Sequence, residues 1–281
     1  MENNENISPG GRKGIYFLPS LFTTAGLFFG FYAIIQATQG NFPQAALGVL
    51  IAMIMDGLDG RVARWTNTAS DFGKEYDSLV DVIAFGLAPG LIIYFWSLQY
   101  IGKAGWLIAF LYAAATALRL ARFNTLTIKD NRYFYGLACP AAAAFVAFWV
   151  WNFTVTGISG ESMAWASAVA TLIMSILQVT SLKYRSFKDF DPKHKIPFFV
   201  LIAIVGVTVL ISFDPPRILF LCALGYVASG PIGWVMRRHK GDEEDTGFLP
   251  DEEDDDPVDS NATNIRPIPS RKQGKQGKQG K

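Results

Sequence analysis

Long apolar stretches separated by short polar ones fill most of the chain up to about residue 240. A helix that crosses a membrane needs about 20 mostly apolar residues. Eight stretches are predicted as such helices, and they cover residues 15–37, 43–59, 76–97, 104–123, 134–155, 163–182, 196–213 and 216–236. The pattern therefore predicts an all-α polytopic membrane protein with about eight transmembrane helices.

Basic residues are concentrated in every second connection between these predicted helices. Lys and Arg residues that flank membrane spans are retained on the cytoplasmic side. The basic set consists of Arg12 and Lys13 before the first span, Arg61, Arg64 and Lys74 after the second, Lys129 and Arg132 after the fourth, Lys183, Arg185, Lys188, Lys193 and Lys195 after the sixth, and Arg237, Arg238 and Lys240 after the eighth. The remaining connections hold only Lys103 and Arg217. Both termini are therefore predicted to be cytoplasmic.

Three regions follow from the same pattern. Residues 1–14 are predicted as a cytoplasmic N-terminal segment, residues 15–237 as a membrane-embedded domain, and residues 238–281 as a disordered cytoplasmic tail. The tail combines an acidic run from Asp251 to Asp256 with a repeated Lys-Gln-Gly sequence, and such a segment buries too little apolar surface to fold. Two roles remain open for it, a solvated tail or a basic end that contacts anionic lipid.

The composition supports a membrane protein and excludes several other classes. Of the 281 residues, 51% are hydrophobic and 17% are charged, whereas soluble domains carry about a quarter charged residues. These values exclude a disordered protein, a collagen and a disulfide scaffold. The net charge of +1 gives no general attraction for nucleic acid, so the expected partner is the lipid bilayer and not a nucleic acid.

Two sets of small residues interrupt the apolar stretches. Gly26 and Gly30 lie one helical turn apart in the first predicted span, and Ala141 to Ala144 form a run in the fifth. Small side chains allow membrane helices to approach each other closely. Packing within one chain and a homodimer interface both remain open as the use of these residues.

Four aspartates lie where the second and third predicted helices approach their shared connection. Asp56 and Asp59 are three residues apart, and Asp77 and Asp81 are four residues apart. Residues at these spacings share one face of a helix. Because consecutive spans run antiparallel, we expect the four carboxylates to lie close together near the cytoplasmic side.

This carboxylate set favours a divalent-cation site. Four clustered carboxylates repel one another and are costly to desolvate, and the two local arginines, Arg61 and Arg64, could offset them only in part. Oxygen ligands suit Mg²⁺, Mn²⁺ or Ca²⁺ rather than Zn²⁺, and two such ions can polarise phosphate oxygens. One alternative is a set of solvated charges that caps two helices. Another is a cation transporter, although transporters carry repeated broken helices and this charged set occurs once.

Small residues next to the aspartates leave room for a bulky ligand. Gly60 follows Asp59 directly, and Gly73 lies four residues before Asp77. A glycine inside a helix costs about 1 kcal/mol relative to alanine, so its presence needs a reason. Arg64 can pair with a phosphate. These residues favour a phosphate-binding site, and a packing role for the two glycines remains the alternative.

Together these positions resemble a known signature. It reads Asp59-Gly60-x2-Ala63-Arg64-x8-Gly73-x3-Asp77-x3-Asp81, and Asp56 precedes it by three residues. This pattern is similar to the signature of the CDP-alcohol phosphotransferase family, and the resemblance covers about residues 15–182. It implies transfer of a phosphatidyl or similar group from a CDP-linked donor to an alcohol, with release of CMP, at the cytoplasmic face of the membrane.

The resemblance also implies roles for individual residues. Asp56, Asp59 and Asp77, with a contribution from Asp81, match the ligands of a metal pair, which is expected to be two Mg²⁺ or Mn²⁺ ions per site. Asp81 also resembles the general base that accepts the proton of the acceptor hydroxyl. The residues that resemble the CDP-donor-binding set are Gly60, Arg64, Ser70, Gly73, Ser20 and Thr23.

The segments around the signature resemble one branch of the family. Residues 71–81, 85–90, 119–124 and 136–141 are similar to the versions in membrane-bound phosphatidylserine synthases. This resemblance implies CDP-diacylglycerol and L-serine as substrates and the cell membrane of a prokaryote as the location. Choline, glycerol 3-phosphate or an inositol remain alternative acceptors.

Three polar residues end the fourth predicted helix. Guanidinium groups bind carboxylates bidentately, so Arg122 and Arg119 are candidates for binding the serine carboxylate, and Asn124 could add a hydrogen bond. The alternative is that both arginines anchor the helix end among lipid headgroups.

Overall fold

A computed structural model describes residues 18–66, 68, 70–125, 133–180, 182–185, 206 and 208–240. Apart from turns and two short strands, the chain is helical within these ranges, which confirms the all-α class for the main elements. The α-helices are α1 (Leu18–Thr38), α2 (Phe42–Thr66), α3 (Asp71–Asp81), α4 (Ala88–Trp96), α5 (Lys103–Thr125), α6 (Cys139–Val155), α7 (Ala164–Val179) and α8 (Pro215–Lys240).

Several of these helices can cross a membrane. The stretches that are long and apolar enough, within the described ranges, are Ser20–Thr38, Asp71–Trp96, Lys103–Thr125 and Pro215–Val235. Helices α6 and α7 are apolar but shorter. The predicted span over residues 196–213 lies mostly outside the described residues, and its last part, 208–213, is helical. The count of eight spans and the cytoplasmic position of the termini therefore stay predictions.

Helix α2 is longer than its apolar stretch. It was expected to end at residue 59 but continues to Thr66. Its last part carries Asp56, Asp59, Arg61 and Arg64, which end the apolar pattern without ending the backbone hydrogen bonding. The helix therefore carries the charged residues beyond the apolar region on a regular scaffold.

A single turn of π-helix, called the π-turn below, joins α3 to α4 in one continuous helical rod. It covers Val82–Leu87 and begins directly after Asp81. Tyr112 of α5, which is fully buried, donates a hydrogen bond to the carbonyl oxygen of Phe85 at 3.1 Å. Gly86 lies against Thr116 of α5, since a Cβ at Gly86 would be 3.2 Å from the Thr116 Cβ. Helix α5 thus packs closely on the turn that follows the last signature aspartate.

Two short strands flank the α6–α7 pair. Strand β1 (Tyr133–Tyr135) and strand β2 (Lys183–Arg185) pair antiparallel, with Tyr133 opposite Arg185. The expected helix start at residue 134 is wrong, because α6 begins only at Cys139. Gly136 has a φ of 76° between the strand and the helix, and Pro140 occupies the first turn of α6, a position that proline favours.

Small side chains form the interior of the bundle. Helix α6 packs against α2, α4 and α8, and its alanines Ala142, Ala143 and Ala147 are fully buried. In α1, Gly30 lies against the rod, since a Cβ there would be 2.9 Å from the Ala84 Cα. Both small-residue sets that the sequence singled out therefore pack within the chain. A homodimer stays a prediction.

The outer surface carries large apolar side chains. Phe28, Phe31, Phe110 and Trp165 are all more than half exposed. Large contiguous apolar surface on the outside of a helical bundle marks contact with a membrane or a partner. Together with the long apolar helices, this surface identifies an integral membrane protein. Helix α8 continues to Lys240, so the first three residues of the predicted tail over 238–281 are helical rather than disordered. The rest of that tail and the predicted segment at residues 1–14 lie outside the described residues.

Candidate active site

Three aspartates meet where α2 and α3 approach the connection between them. Carboxylate oxygens of Asp56, Asp59 and Asp77 all lie within 4.8 Å of one another. Asp59 is only 6% exposed, and the other two are half-buried. The structure thus brings together three of the four residues that were expected to bind metal. We call them the three-carboxylate group.

Helix α1 supplies the contact that orients Asp59. Thr23, itself buried, donates a hydrogen bond from Oγ1 to Asp59 Oδ2 at 2.8 Å. The neighbouring Thr24 hydroxyl lies 3.0 Å from the hydroxyl of Tyr76 in α3. Helix α1 is therefore linked through side chains to both of the helices that carry the three-carboxylate group.

The three-carboxylate group fits a hard divalent cation. Carboxylates this close together repel one another unless a positive charge neutralises them. Within the part of the chain that the structure describes, no Lys or Arg forms an ion pair within 4.0 Å of any of the three. Oxygen ligands of this kind suit Mg²⁺, Mn²⁺ or Ca²⁺. The residues present can therefore hold the metal that the sequence predicted.

Asp81 lies beside this group. It lies one helical turn beyond Asp77 on α3 and is half-buried, but it is not a member of the three-carboxylate group. Its charge interacts with those of Asp56, Asp77 and Asp59, and to a smaller extent with that of the Arg119 guanidinium on α5. Asp81 therefore lies at the edge of the three-carboxylate group, with a cation of α5 on its other side.

A pocket of about 260 Å³ opens beside the three-carboxylate group. Segments of α1, α2 and α3 and the short connection between α2 and α3 surround it. The lining residues are Ser20, Thr23, Asp59, Gly60, Ala63, Arg64, Thr68, Ser70, Gly73, Lys74 and Asp77. All six residues that were expected to bind the CDP donor are among them.

Local hydrogen bonds shape this pocket. Ser70 caps the N-terminus of α3, because its Oγ accepts a hydrogen bond from the Gly73 N–H at 3.1 Å. Arg64 donates from Nε to the carbonyl oxygen of Gly60 at 2.9 Å, which leaves its terminal nitrogens for a ligand. A Cβ at Gly60 would meet no atom within 4 Å, so the backbone there is open to the pocket.

Two lining residues were not singled out by the sequence analysis. Lys74 adds a second cation beside Arg64, and Thr68 adds a hydroxyl from the connection. Lys74 could have been found, because it directly follows Gly73 in the first turn of α3, where a ligand phosphate would meet it. Thr68 lies outside the helices and carried no spacing signal.

The three candidates for acceptor binding lie outside the pocket lining, and they have different neighbours. Arg122 donates from Nη1 to the carbonyl oxygen of Val179 at 3.4 Å, and Asn124 donates from Nδ2 to Ser78 Oγ at 2.9 Å. Arg119 donates from Nη1 to Cys139 Sγ at 3.2 Å. Asn124 thus connects α5 to α3, and Arg122 connects α5 to α7. Arg119 connects α5 to the start of α6.

Comparisons with known proteins agree with this geometry. Residues 16–177 match the family described as CDP-alcohol phosphatidyltransferase. A CDP-diacylglycerol–serine O-phosphatidyltransferase from Helicobacter pylori is 36% identical over 228 residues, which cover 79% of this chain and 92% of the relative.

Similarity extends to other bacteria and to archaea. A CDP-diacylglycerol–serine O-phosphatidyltransferase from Mycobacterium tuberculosis is 34% identical over 192 residues, which cover 58% of this chain and 66% of the relative. An archaetidylserine synthase from Methanothermobacter thermautotrophicus is 34% identical over 169 residues, which cover 59% of this chain and 69% of the relative. The matched region includes every residue of the pocket and of the three-carboxylate group.

Proposed function

The chain belongs to the CDP-alcohol phosphatidyltransferase family, and on this basis we propose that it transfers the phosphatidyl group of CDP-diacylglycerol to L-serine. The products are phosphatidylserine and CMP. The observation that carries the proposal is the three-carboxylate group in the wall of a pocket that also holds Arg64 and Lys74. Sites that transfer a phosphorus group combine oxygen ligands for divalent cations with cations for the phosphates.

Metal binding falls to the signature aspartates. Asp56, Asp59 and Asp77 would hold two Mg²⁺ or Mn²⁺ ions, with Asp81 contributing to one of them. When bound, such ions polarise the phosphate oxygens and stabilise the negative charge that develops during transfer. Thr23 keeps Asp59 oriented through its 2.8 Å hydrogen bond.

The CDP group of the donor binds in the pocket. Arg64 and Lys74 pair with its phosphates, since both are cations in the pocket wall. Gly60 and Gly73 allow the ligand to lie against the backbone. The remaining polar groups that line the pocket and can donate hydrogen bonds to the donor are Ser20, Thr23 and Ser70.

The chemical step joins the serine hydroxyl oxygen to the phosphorus that carries the diacylglycerol. As this bond forms, the bond from that phosphorus to the oxygen shared with the cytidine phosphate breaks, and CMP leaves. The proton of the serine hydroxyl passes to Asp81, because a hydroxyl is a poor nucleophile until a base accepts its proton. The position of Asp81 outside the three-carboxylate group supports this role.

Serine is proposed to bind beside Asp81, near the end of α5. Arg119, Arg122 and Asn124 lie in this region and provide donors for a polar acceptor. Asn124 already reaches Ser78 on α3, the residue after Asp77, so an acceptor between α3 and α5 lies near the signature aspartates.

The choice of acceptor can be tested directly. Purified protein with CDP-diacylglycerol and Mn²⁺ is expected to release CMP with L-serine and to release far less with choline, glycerol 3-phosphate or inositol. CMP release and the lipid product would both be measured, with boiled protein as the control. Equal or faster release with another alcohol would assign that alcohol as the acceptor, and no release with any of them would contradict the proposed reaction.

The active site is proposed to lie at the cytoplasmic face, with eight spans and both termini in the cytoplasm. The alternation of basic residues supports this arrangement. A fluorescent protein that matures only in the cytoplasm is expected to be bright when fused after Lys281. The same reporter fused after a truncation at Gly157, in the connection between α6 and α7, should be dark. The reverse pattern would overturn the topology.

A further inference from the structure

Arg119 is a cation inside the helical bundle that the proposed reaction places near serine without saying which group of serine it binds. It lies in the last part of α5 and is half-buried. Its Nη1 donates to the Cys139 thiol at 3.2 Å, and its Nε is buried with no hydrogen-bond partner among the described residues. No ion pair within 4.0 Å includes Arg119 among the described residues.

The surroundings of Arg119 are unfavourable for an unpaired positive charge. A charged side chain within a membrane protein is costly unless it is paired, and such a residue is usually functional. Cys139 is the first residue of α6, so the positive end of that helix faces the guanidinium. A thiol is only a weak acceptor and carries no compensating charge. Among the described residues, Arg119 therefore has no anion in direct contact.

Asp81 is the nearby carboxylate, but it does not complete this site. Its charge interacts more strongly with those of Asp56, Asp77 and Asp59 than with that of Arg119, and among the described residues no ion pair within 4.0 Å joins Asp81 to Arg119. The donor pocket is lined by Asp77, whereas neither Asp81 nor Arg119 is part of its lining. An anion held by Arg119 would thus lie beside the carboxylate to which the serine proton is assigned, and outside the pocket for CDP.

We propose that Arg119 binds the carboxylate group of the amino-acid acceptor and so selects serine over alcohols without a carboxylate. The proposal rests on the proposed reaction and adds which group of the acceptor is recognised and by which residue. A guanidinium binds a carboxylate through two parallel hydrogen bonds, and Nε, buried and without a partner, is one of the donors available for this. Cys139 is a positioning residue, because its sulfur accepts the hydrogen bond from Nη1.

Arg122 is the rival for this role. Its Nη1 contacts the carbonyl oxygen of Val179 in an exposed position, so it connects the end of α5 to α7. Both arginines are half-buried, but Nε of Arg119 is shielded from solvent and has no hydrogen-bond partner among the described residues, and a shielded donor gains more from binding a carboxylate than one in contact with solvent. The structure therefore favours Arg119 over Arg122.

The test measures serine and donor kinetics separately in the full-length protein. Arg119→Gln is expected to raise the KM for L-serine on the order of 100-fold, because two charge-assisted hydrogen bonds are lost. The KM for CDP-diacylglycerol should stay within about threefold of the wild-type value. L-Alanine, which has the carboxylate but no hydroxyl, should inhibit the wild-type protein competitively with L-serine. Its affinity for Arg119→Gln should fall to the same extent as that of L-serine. For Arg119→Lys, which keeps the positive charge but not the planar guanidinium, the KM for L-serine should lie between the values of the wild-type protein and of Arg119→Gln.

Two further variants complete the comparison. Arg217→Gln removes an exposed arginine at the start of α8 and should leave both KM values unchanged. Cys139→Ala should raise the KM for serine by a smaller factor than Arg119→Gln, and Cys139→Ser should move it back towards the wild-type value.

Each outcome bears on one idea. A fall in kcat with an unchanged serine KM would mean that Arg119 only orients Asp81, and a selective serine defect in Arg122→Gln instead would assign the carboxylate to Arg122. Either result overturns the proposal while the proposed reaction stands. Failure of the wild-type protein to use serine at all would overturn the reaction itself.

Discussion

Replacing Asp59 with asparagine is expected to lower the rate of CMP release on the order of 100- to 1,000-fold, the loss typical when one group that stabilises transition-state charge is removed. Asp59 is the most buried member of the three-carboxylate group and is held by Thr23. Asparagine keeps the shape and can still accept the Thr23 hydrogen bond, but it removes the negative charge. Excess EDTA should abolish the activity of the unchanged protein, and Mg²⁺ or Mn²⁺ should restore it.

Thermal unfolding in detergent separates this effect from a folding defect. In EDTA the variant should be at least as stable as the unchanged protein, because one of three mutually repelling carboxylates is gone. Mn²⁺ should raise the unfolding temperature of the unchanged protein but not that of the variant, since a ligand that binds only the folded state stabilises it. Asp71→Asn is the matched control, because Asp71 lies on α3 but neither lines the pocket nor belongs to the three-carboxylate group. Full activity in EDTA would contradict the proposal that these aspartates bind a metal needed for the reaction.

Replacing Asp81 with asparagine is expected to lower transfer to serine on the order of 100- to 10,000-fold, the range typical for loss of a general base. The affinity for CDP-diacylglycerol in the presence of Mn²⁺ should fall much less than the rate, because Asp81 contributes to only one of the two ions and lies outside both the pocket lining and the three-carboxylate group. Single-turnover CMP release and donor binding by calorimetry would be measured on the same preparation.

Asp77→Asn gives the contrast for this variant, because it makes the same chemical change one helical turn away. It should weaken metal-dependent donor binding as well as transfer, since Asp77 belongs to the three-carboxylate group and lines the pocket. An Asp81→Asn variant within about threefold of the normal rate would show that Asp81 is not the base. Equal losses of donor binding in both variants would make Asp81 mainly a metal ligand.

The meeting of α2 and α3 could be predicted because it depends on local periodicity. Spacings of three and four residues place Asp56 with Asp59, and Asp77 with Asp81, on single helix faces, and a short connection forces the helices to run antiparallel. Close approach of Asp56, Asp59 and Asp77 follows from these two facts. Neither fact says which turn of α3 lies nearer to α2, so the position of Asp81 at the edge of the group could not be predicted.

Features that depend on contacts between distant segments could not be predicted. The two strands pair residues 133–135 with residues 183–185, and no local pattern distinguishes such a short strand from the start of a helix. The environment of Arg119 depends on Cys139, which is twenty residues away and lies on another helix. The end of α2 was misplaced for another reason, because apolar content marks where a helix meets lipid rather than where its hydrogen bonds stop.

The π-turn after Asp81 has a consequence for the evolution of this rod. A π-turn contains one more residue than the α-helical turn it replaces, so it corresponds to a single-residue insertion. Each residue of an α-helix turns the chain by about 100°, so deleting one residue from Val82–Leu87 would rotate α3 relative to α4 by about that angle. The face of α3 that carries the aspartates would then no longer be aligned with the face of α4 that packs into the bundle. Relatives that lack the turn should therefore show a one-residue alignment gap between Asp81 and Pro89, together with compensating changes at Tyr112, whose hydroxyl would lose its partner.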